Sequence, residues 1–108
     1  QVNIDREPQK AGVMPEQAGE MARLCTELKR LNLRGLMCIP RIGSADHDPA
    51  DSYREMKRLF DHLRHDGFEM DTLSMGMSAD LEAAVRNGST MVRVGTDLFG
   101  PRPPRGDG

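Results

Sequence analysis

One pattern constrains this chain more than any other: short, nearly all-apolar runs alternate with longer stretches whose apolar residues recur at helical spacing. A continuous apolar run suits a strand buried on both faces of a parallel sheet. Parallel neighbours need a crossover of about helix length between them. The apolar runs are Val2-Asn3-Ile4, Leu33 to Ile39 stopping at Pro40, Met70 to Ser74, and Met91 to Val94. Between them, Ala18, Met21, Ala22, Cys25, Leu28 and Leu31 form one helical face, which predicts a helix from Pro15 in its first turn to about Leu31. Asp48-Pro49 reads as an N-cap followed by proline at the first helical position. Tyr53, Met56, Leu59, Phe60 and Leu63 then make a second apolar face, and Gly67 is placed to end that helix in the left-handed conformation. Ser78 is expected to cap a third helix, with Leu81, Ala84 and Val85 inward and Asn87-Gly88 at its close.

The expected order is β-α-β-α-β-α-β. It implies four parallel strands near residues 2–4, 34–39, 71–74 and 91–94, in sequential order, with three helices on one side. Such a unit is either an open sheet or part of a (β/α)8 barrel. A whole barrel takes about 250 residues, and 108 residues would supply roughly half of one. Residues 1–100 are expected to form this unit. The tail 101–108, rich in Pro, Gly and Arg without a core-forming side chain, is expected to be disordered.

Composition narrows the function classes. Fifteen basic and seventeen acidic residues give a net charge of −2, without the basic excess that nucleic-acid binding normally needs. No apolar run approaches the roughly 20 residues that span a bilayer, and no signal or lipidation motif is present. The first residue is Gln1 rather than Met, as in a processed chain or a piece of a longer one. Cys25 and Cys38 match no metal spacing and read as two reduced thiols of a cytoplasmic chain. His47, His62 and His65 are too scattered to predict a metal site; Asp46-His47-Asp48 is a weak cation candidate in a polar loop.

Two strand ends carry chemistry. In Leu73-Ser74-Met75-Gly76-Met77-Ser78-Ala79-Asp80 a strand ends, a glycine allows close backbone approach, and Ser78 opens a helix. First-turn N–H groups there can hold an anion, although Ser78 read alone is an ordinary N-cap. In Val92-Arg93-Val94-Gly95-Thr96, strand alternation sets Arg93 and Met91 on one face and Val92 and Val94 on the other. An arginine at a buried strand end needs a partner. That partner is either a structural carboxylate or a ligand beyond the strand, with Gly95 and Thr96 offering N–H groups and a hydroxyl. If these are the last two strands of a barrel, the two loops stand where that fold usually binds phosphate. Lys10, in the loop after the first strand, would lie at the same end, whereas Lys29 and Lys57 fall on helices.

The stretch from Leu73 to Ala84, followed by Gly88-Ser89-Thr90-Met91-Val92-Arg93-Val94-Gly95-Thr96 and Phe99-Gly100, resembles the pyridoxal phosphate homeostasis protein family. This is the YggS/PROSC-type family, related to the N-terminal barrel of alanine racemase. Val2-Asn3-Ile4 with Lys10-Ala11-Gly12-Val13, and Leu33 to Pro40, extend the resemblance over nearly the whole chain except the tail. The resemblance implies the C-terminal half of a fold-type III barrel that holds pyridoxal 5′-phosphate (PLP). Ser78 and the backbone of Met77, Gly95 and Thr96 would hold the phosphate, and Arg93 would face the pyridine nitrogen. The family's Schiff-base lysine lies on an early strand of the other half, and none of Lys10, Lys29 or Lys57 matches it. Asp97 stands where a small apolar residue is more usual, a charge that would weaken phosphate binding.

The implied role is storage or delivery of PLP without turnover, with no catalytic residue and no metal. A PLP-dependent amino-acid racemase is the alternative from another class. It is disfavoured because such enzymes carry a further β domain with a catalytic tyrosine, whereas the one tyrosine here, Tyr53, falls on a helix face. A third alternative is an incomplete half-barrel without independent activity. A half-barrel leaves sheet edges and an inner face uncovered, so a second half-barrel or a swapped dimer is the expected macromolecular partner.

Overall fold

A computed structural model describes residues 1–41 and 47–95. Among them a three-stranded parallel sheet forms in the order β1 (Gly35–Met37), β2 (Thr72–Met77), β3 (Met91–Arg93). The connections are α2 (Pro49–His65) and α3 (Leu81–Arg86); a further helix, α1 (Ala18–Thr26), precedes β1. Both pairings are parallel, with Leu36 opposite Leu73 and Ser74 opposite Met91. The sequential order and parallel sense match the reading of the sequence.

The first expected strand is reduced to one bridge. Val2 pairs with Val13, and its N–H donates to the Met37 carbonyl at 2.8 Å, which places it beside β1. It stops there because the Asn3 amide turns the chain. Its Nδ2 donates to the Glu7 carbonyl at 2.9 Å, and its Oδ1 accepts from the Glu7 N–H at 3.0 Å. A side chain that satisfies nearby backbone groups competes with a sheet ladder. Val2, Asn3 and Ile4 are nonetheless buried.

α2 forms as expected. The Asp48 carboxylate accepts from the Ala50 N–H at 3.0 Å, Pro49 holds the first helical position, and Gly67 closes the end at φ 104°. Tyr53, Met56, Phe60 and Leu63 are buried against Leu73, Met75 and Ala84. Truncating Met56, which has no exposed surface, to Ala should cost about 2–5 kcal/mol.

α1 differs from expectation. It stops at Thr26 rather than near Leu31, and only Ala18 and Ala22 are buried. Met21, Leu24, Leu28 and Leu31 are 44–59% exposed, so apolar spacing there marks a surface and not a core face. The threonine hydroxyl contributes to the stop by donating to the Arg23 carbonyl at 2.7 Å. Val85 likewise points outward from α3, which buries Ala84 alone. A six-residue helix is too short to present two apolar turns to the sheet.

Candidate functional site

Strand register sets the site. Met37, Ser74 and Met91 are successive Cα partners across the sheet, so they share a face. It is the face opposite the buried Leu73 and Met75. Arg93, two residues beyond Met91, shares it too. Its side chain crosses β2 to reach β1: Nη2 donates to the Cys38 carbonyl at 3.2 Å, and Nη1 lies 3.8 Å from the Met37 sulfur. Among the described residues no carboxylate pairs with Arg93, and its buried Nε has no hydrogen-bond partner. The structural salt bridge allowed by the sequence is thus not what these residues show. A buried donor without a partner in a native fold calls for an explanation, and a ligand is one.

The second part is the β2–α3 turn. Gly76 adopts φ 105°, the left-handed region where a side chain is strained. A Cβ there would also lie 2.5 Å from the Ala84 Cβ and 3.3 Å from a Val92 methyl. Glycine therefore lets β2 bulge between Ser74 and Met77 and brings α3 against the strand end. Ser78 is not the N-cap that the sequence suggests. It is the first residue of a 3-10 turn, Ser78–Asp80, with Met77 at the cap position. Asp80 does the capping, its Oδ1 accepting from the Met77 N–H at 2.9 Å. The carboxylate three residues on reaches back as in a capping box.

Met77 is the Cα partner of Arg93. The structure thus brings Met77 and Ser78 to the same C-terminal sheet end as Arg93 and Gly95. Met77's own N–H is committed to Asp80. Gly95 is exposed, does not take the left-handed backbone, and would carry a Cβ with nothing within 4 Å among the described residues. Thr96 lies outside the described residues, as do Asp97, Phe99, Gly100 and the tail.

The contacts of three groups here are not legible in the sequence. Tyr53, fully buried on α2, donates its hydroxyl to Asp80 Oδ2 at 2.7 Å. Burial first, and then that hydrogen bond, push its phenol pKa up from the usual value. Lys10 is indeed near this end of the sheet, but as a clasp. Its Nζ donates to the Ile39 and Pro40 carbonyls at 3.2 and 3.3 Å and pairs with Glu7 at 2.9 Å. Asp5 ties its own corner, accepting from the Ser52 hydroxyl at 2.7 Å and the Arg41 N–H at 2.6 Å. His47 Nε2 stands 3.5 Å from Asp5 and 3.2 Å from the Ser52 hydroxyl. Asp46 of the cation candidate lies outside the described residues. The signals were faint: aspartate three residues after Met77 for the cap, and nothing local for contacts spanning 27 to 47 positions.

The Cys38 thiol sits beneath the Arg93 contact with no exposed surface. Burial, and secondarily Asp5, raise its pKa to about 12. It stays protonated and non-nucleophilic near neutral pH.

The family profile described as alanine racemase, N-terminal domain, matches residues 1–103. The chain belongs to this family. Its structure superposes on PipY of Synechococcus elongatus PCC7942 without PLP at a TM-score of 0.81 and 32% identity, over 92% of this chain and 47% of that one. PipY with PLP bound matches at a TM-score of 0.77 and 30% identity, over the same shares. The pyridoxal phosphate homeostasis protein of Escherichia coli K12 is 45% identical over 102 residues, covering 94% of this chain and 44% of that protein. The protein of the same name from Haemophilus influenzae is 41% identical over 104 residues, again 94% and 44%. The chain thus spans under half the length of these curated relatives. The alanine racemase N-terminal fold, as a partial barrel with parallel strands, is the architecture seen here, as the sequence implied. No helix among the described residues is long and apolar enough to cross a membrane.

Proposed function

We propose that this chain binds pyridoxal 5′-phosphate and serves in its storage or delivery, without turnover. The observation that carries the reading is Arg93: a guanidinium on the open sheet face, at the C-terminal strand end, with a buried Nε that no described residue satisfies. The phosphate would rest on Ser78 and the backbone of Gly95 and Thr96, and Arg93 would face the pyridine nitrogen; Met77, whose N–H is taken by Asp80, holds the turn rather than the phosphate.

The residues present fit that group. Among the described residues, neither backbone conformation nor a neighbouring atom demands glycine at position 95, and the lack of a side chain there would let a ligand approach the backbone. Bound there, the cofactor would supply an electron-withdrawing ring, a weaker electron sink beside arginine than beside a carboxylate. Arg93 can only donate hydrogen bonds, so it keeps the ring nitrogen an acceptor. The Ser78 turn presents donors to the phosphate without neutralising it. The PLP-bound PipY structure and the names of the relatives support this reading.

A role without turnover is supported by Tyr53, whose buried hydroxyl is engaged by Asp80 and so is not offered to a substrate, and by the names of the relatives. Free Cys25 and Cys38 fit a cytoplasmic setting. A second half-barrel or a swapped dimer would cover the open sheet face. The test is to load the chain with PLP, remove excess, and add an apo-enzyme that needs it. Activation of that enzyme, with no racemisation of L-alanine by the chain alone, is expected. Racemisation, or no transfer, would overturn the proposal.

A further inference from the structure

We infer that the Tyr53–Asp80 pair positions the Ser78 turn for anion binding, a role that rests on the PLP reading above. Asp80 is the only link described between α2 and this turn that uses both carboxylate oxygens. Oδ2 accepts from the Tyr53 hydroxyl at 2.7 Å and Oδ1 from the Met77 N–H at 2.9 Å. Ser78 lies between these two tie points, so its backbone is fixed from both sides. The anchor is firmly held: Tyr53 is fully buried on α2, which also contributes Met56, Phe60 and Leu63 to the core.

The pair also manages charge. A carboxylate beside an anion site would repel the ligand. Here the buried phenol cannot ionise near neutral pH, being held protonated by burial and by Asp80 itself, so it remains a donor. Hydrogen bonds to a charged acceptor are among the stronger ones. With both oxygens engaged, Asp80 is turned back toward α2 and the Met77 backbone. Without the Tyr53 hydroxyl, Oδ2 loses its inner partner, and the carboxylate is free to turn toward Arg93 on the neighbouring strand. The site would then lose twice, through a looser turn and through an internal anion competing for the arginine.

Two readouts separate this inference from a plain stability effect and from the PLP reading itself. The first needs no ligand: amide hydrogen exchange in the 108-residue chain. Tyr53→Phe should raise exchange at Met77 about tenfold while the Met56 and Phe60 amides of α2 stay within twofold. Uniform acceleration, or no change at Met77, would overturn the positioning role. The second is PLP affinity by equilibrium dialysis. Tyr53→Phe and Asp80→Ala should each weaken it about tenfold, and Asp80→Asn, which keeps an acceptor for the Met77 N–H, should fall between Ala and wild type. Wild-type binding that Ser78→Ala weakens but Tyr53→Phe does not would refute the inference and leave the PLP reading standing. No binding by wild type, with the exchange result as expected, would refute the PLP reading and with it the anion role of the turn.

Discussion

The guanidinium of Arg93, on the third strand, donates to the carbonyl of Cys38 just beyond the first, 3.2 Å away and 55 positions earlier in the chain. One side chain thus straps the open face of the whole sheet, lying across β2 with its Nε unpartnered among the described residues. Arg93→Lys keeps the charge but cannot reach both a carbonyl and a ligand with a planar fork. It should lower PLP affinity about as much as Arg93→Ala while costing less stability than Ala. Parallel dialysis and denaturation series on the two variants check this. Full retention of affinity in the lysine variant would show that charge alone suffices.

Gly95→Ala should separate folding from binding. The position needs no left-handed backbone, and a Cβ would meet nothing among the described residues, so stability should change by no more than about 0.5 kcal/mol, as for surface changes generally. PLP affinity should nonetheless drop at least severalfold. Gly76→Ala is the contrast. Strain at φ 105° and the contact with Ala84 should cost more than 1 kcal/mol of stability, on the order expected for alanine at such positions.

Lys10 is predicted to be structural. Its Nζ has three acceptors and its side chain is 22% exposed. Lys10→Met should destabilise by about 1.5–3 kcal/mol, the range for hydrogen bonds to a charged group. Urea denaturation measures it, and an unchanged midpoint would remove Lys10 from the account.

The two thiols should differ sharply. With its pKa near 12, Cys38 is protonated and sealed in the core, whereas Cys25 is half-buried on α1. A disulfide-exchange reagent at pH 8 should modify one thiol per chain quickly and the second only in denaturant. Cys25→Ser should abolish the fast phase.

Asp71 carries a pH signature. Its hydrogen bond from Arg34, 2.7 Å at the closest, and that from Thr72 hold its pKa down to about 2. A carboxylate whose pKa is depressed on folding contributes stability that is complete above its unfolded value near 3.8, and that is lost as pH falls through the folded value. The window is therefore roughly pH 4 to 2, and the contribution is small because both partners are exposed. Carbon-detected NMR should find Asp71 titrating near 2 in wild type and back in the ordinary carboxylate range in Arg34→Ala.

What the sequence disclosed follows from how local each signal is. The parallel order and α2 were legible because Asp48-Pro49, the spacing from Tyr53 to Leu63, and Gly67 all act within a few residues. The overreach at Leu28 and Leu31 came from periodicity alone, which marks a face without saying whether anything covers it. The site was legible in part. Arg93 and Gly95 stood out because a charge and a glycine at a strand end need a reason. Ser78 reads as the cap that Asp80 makes, since a serine and an aspartate two positions apart both suit a helix start. Tyr53 reads as core, which it is; its hydroxyl's hydrogen bond depends on a contact between α2 and a turn 27 positions on. Such contacts exist only once the fold has formed.

The central claim is that Ser78, Arg93 and Gly95 converge on one phosphate-binding place at the strand ends. The most direct measurement is the PLP affinity of wild type, Ser78→Ala and Arg93→Ala by equilibrium dialysis, with the 31P shift of the bound phosphate recorded alongside. Each substitution should weaken binding by tenfold or more, as expected for a charge-assisted contact worth about 1.5–3 kcal/mol, and the 31P shift of residual bound PLP should change in Ser78→Ala. Equal affinity in all three proteins would contradict the account, whatever the geometry of the strand ends.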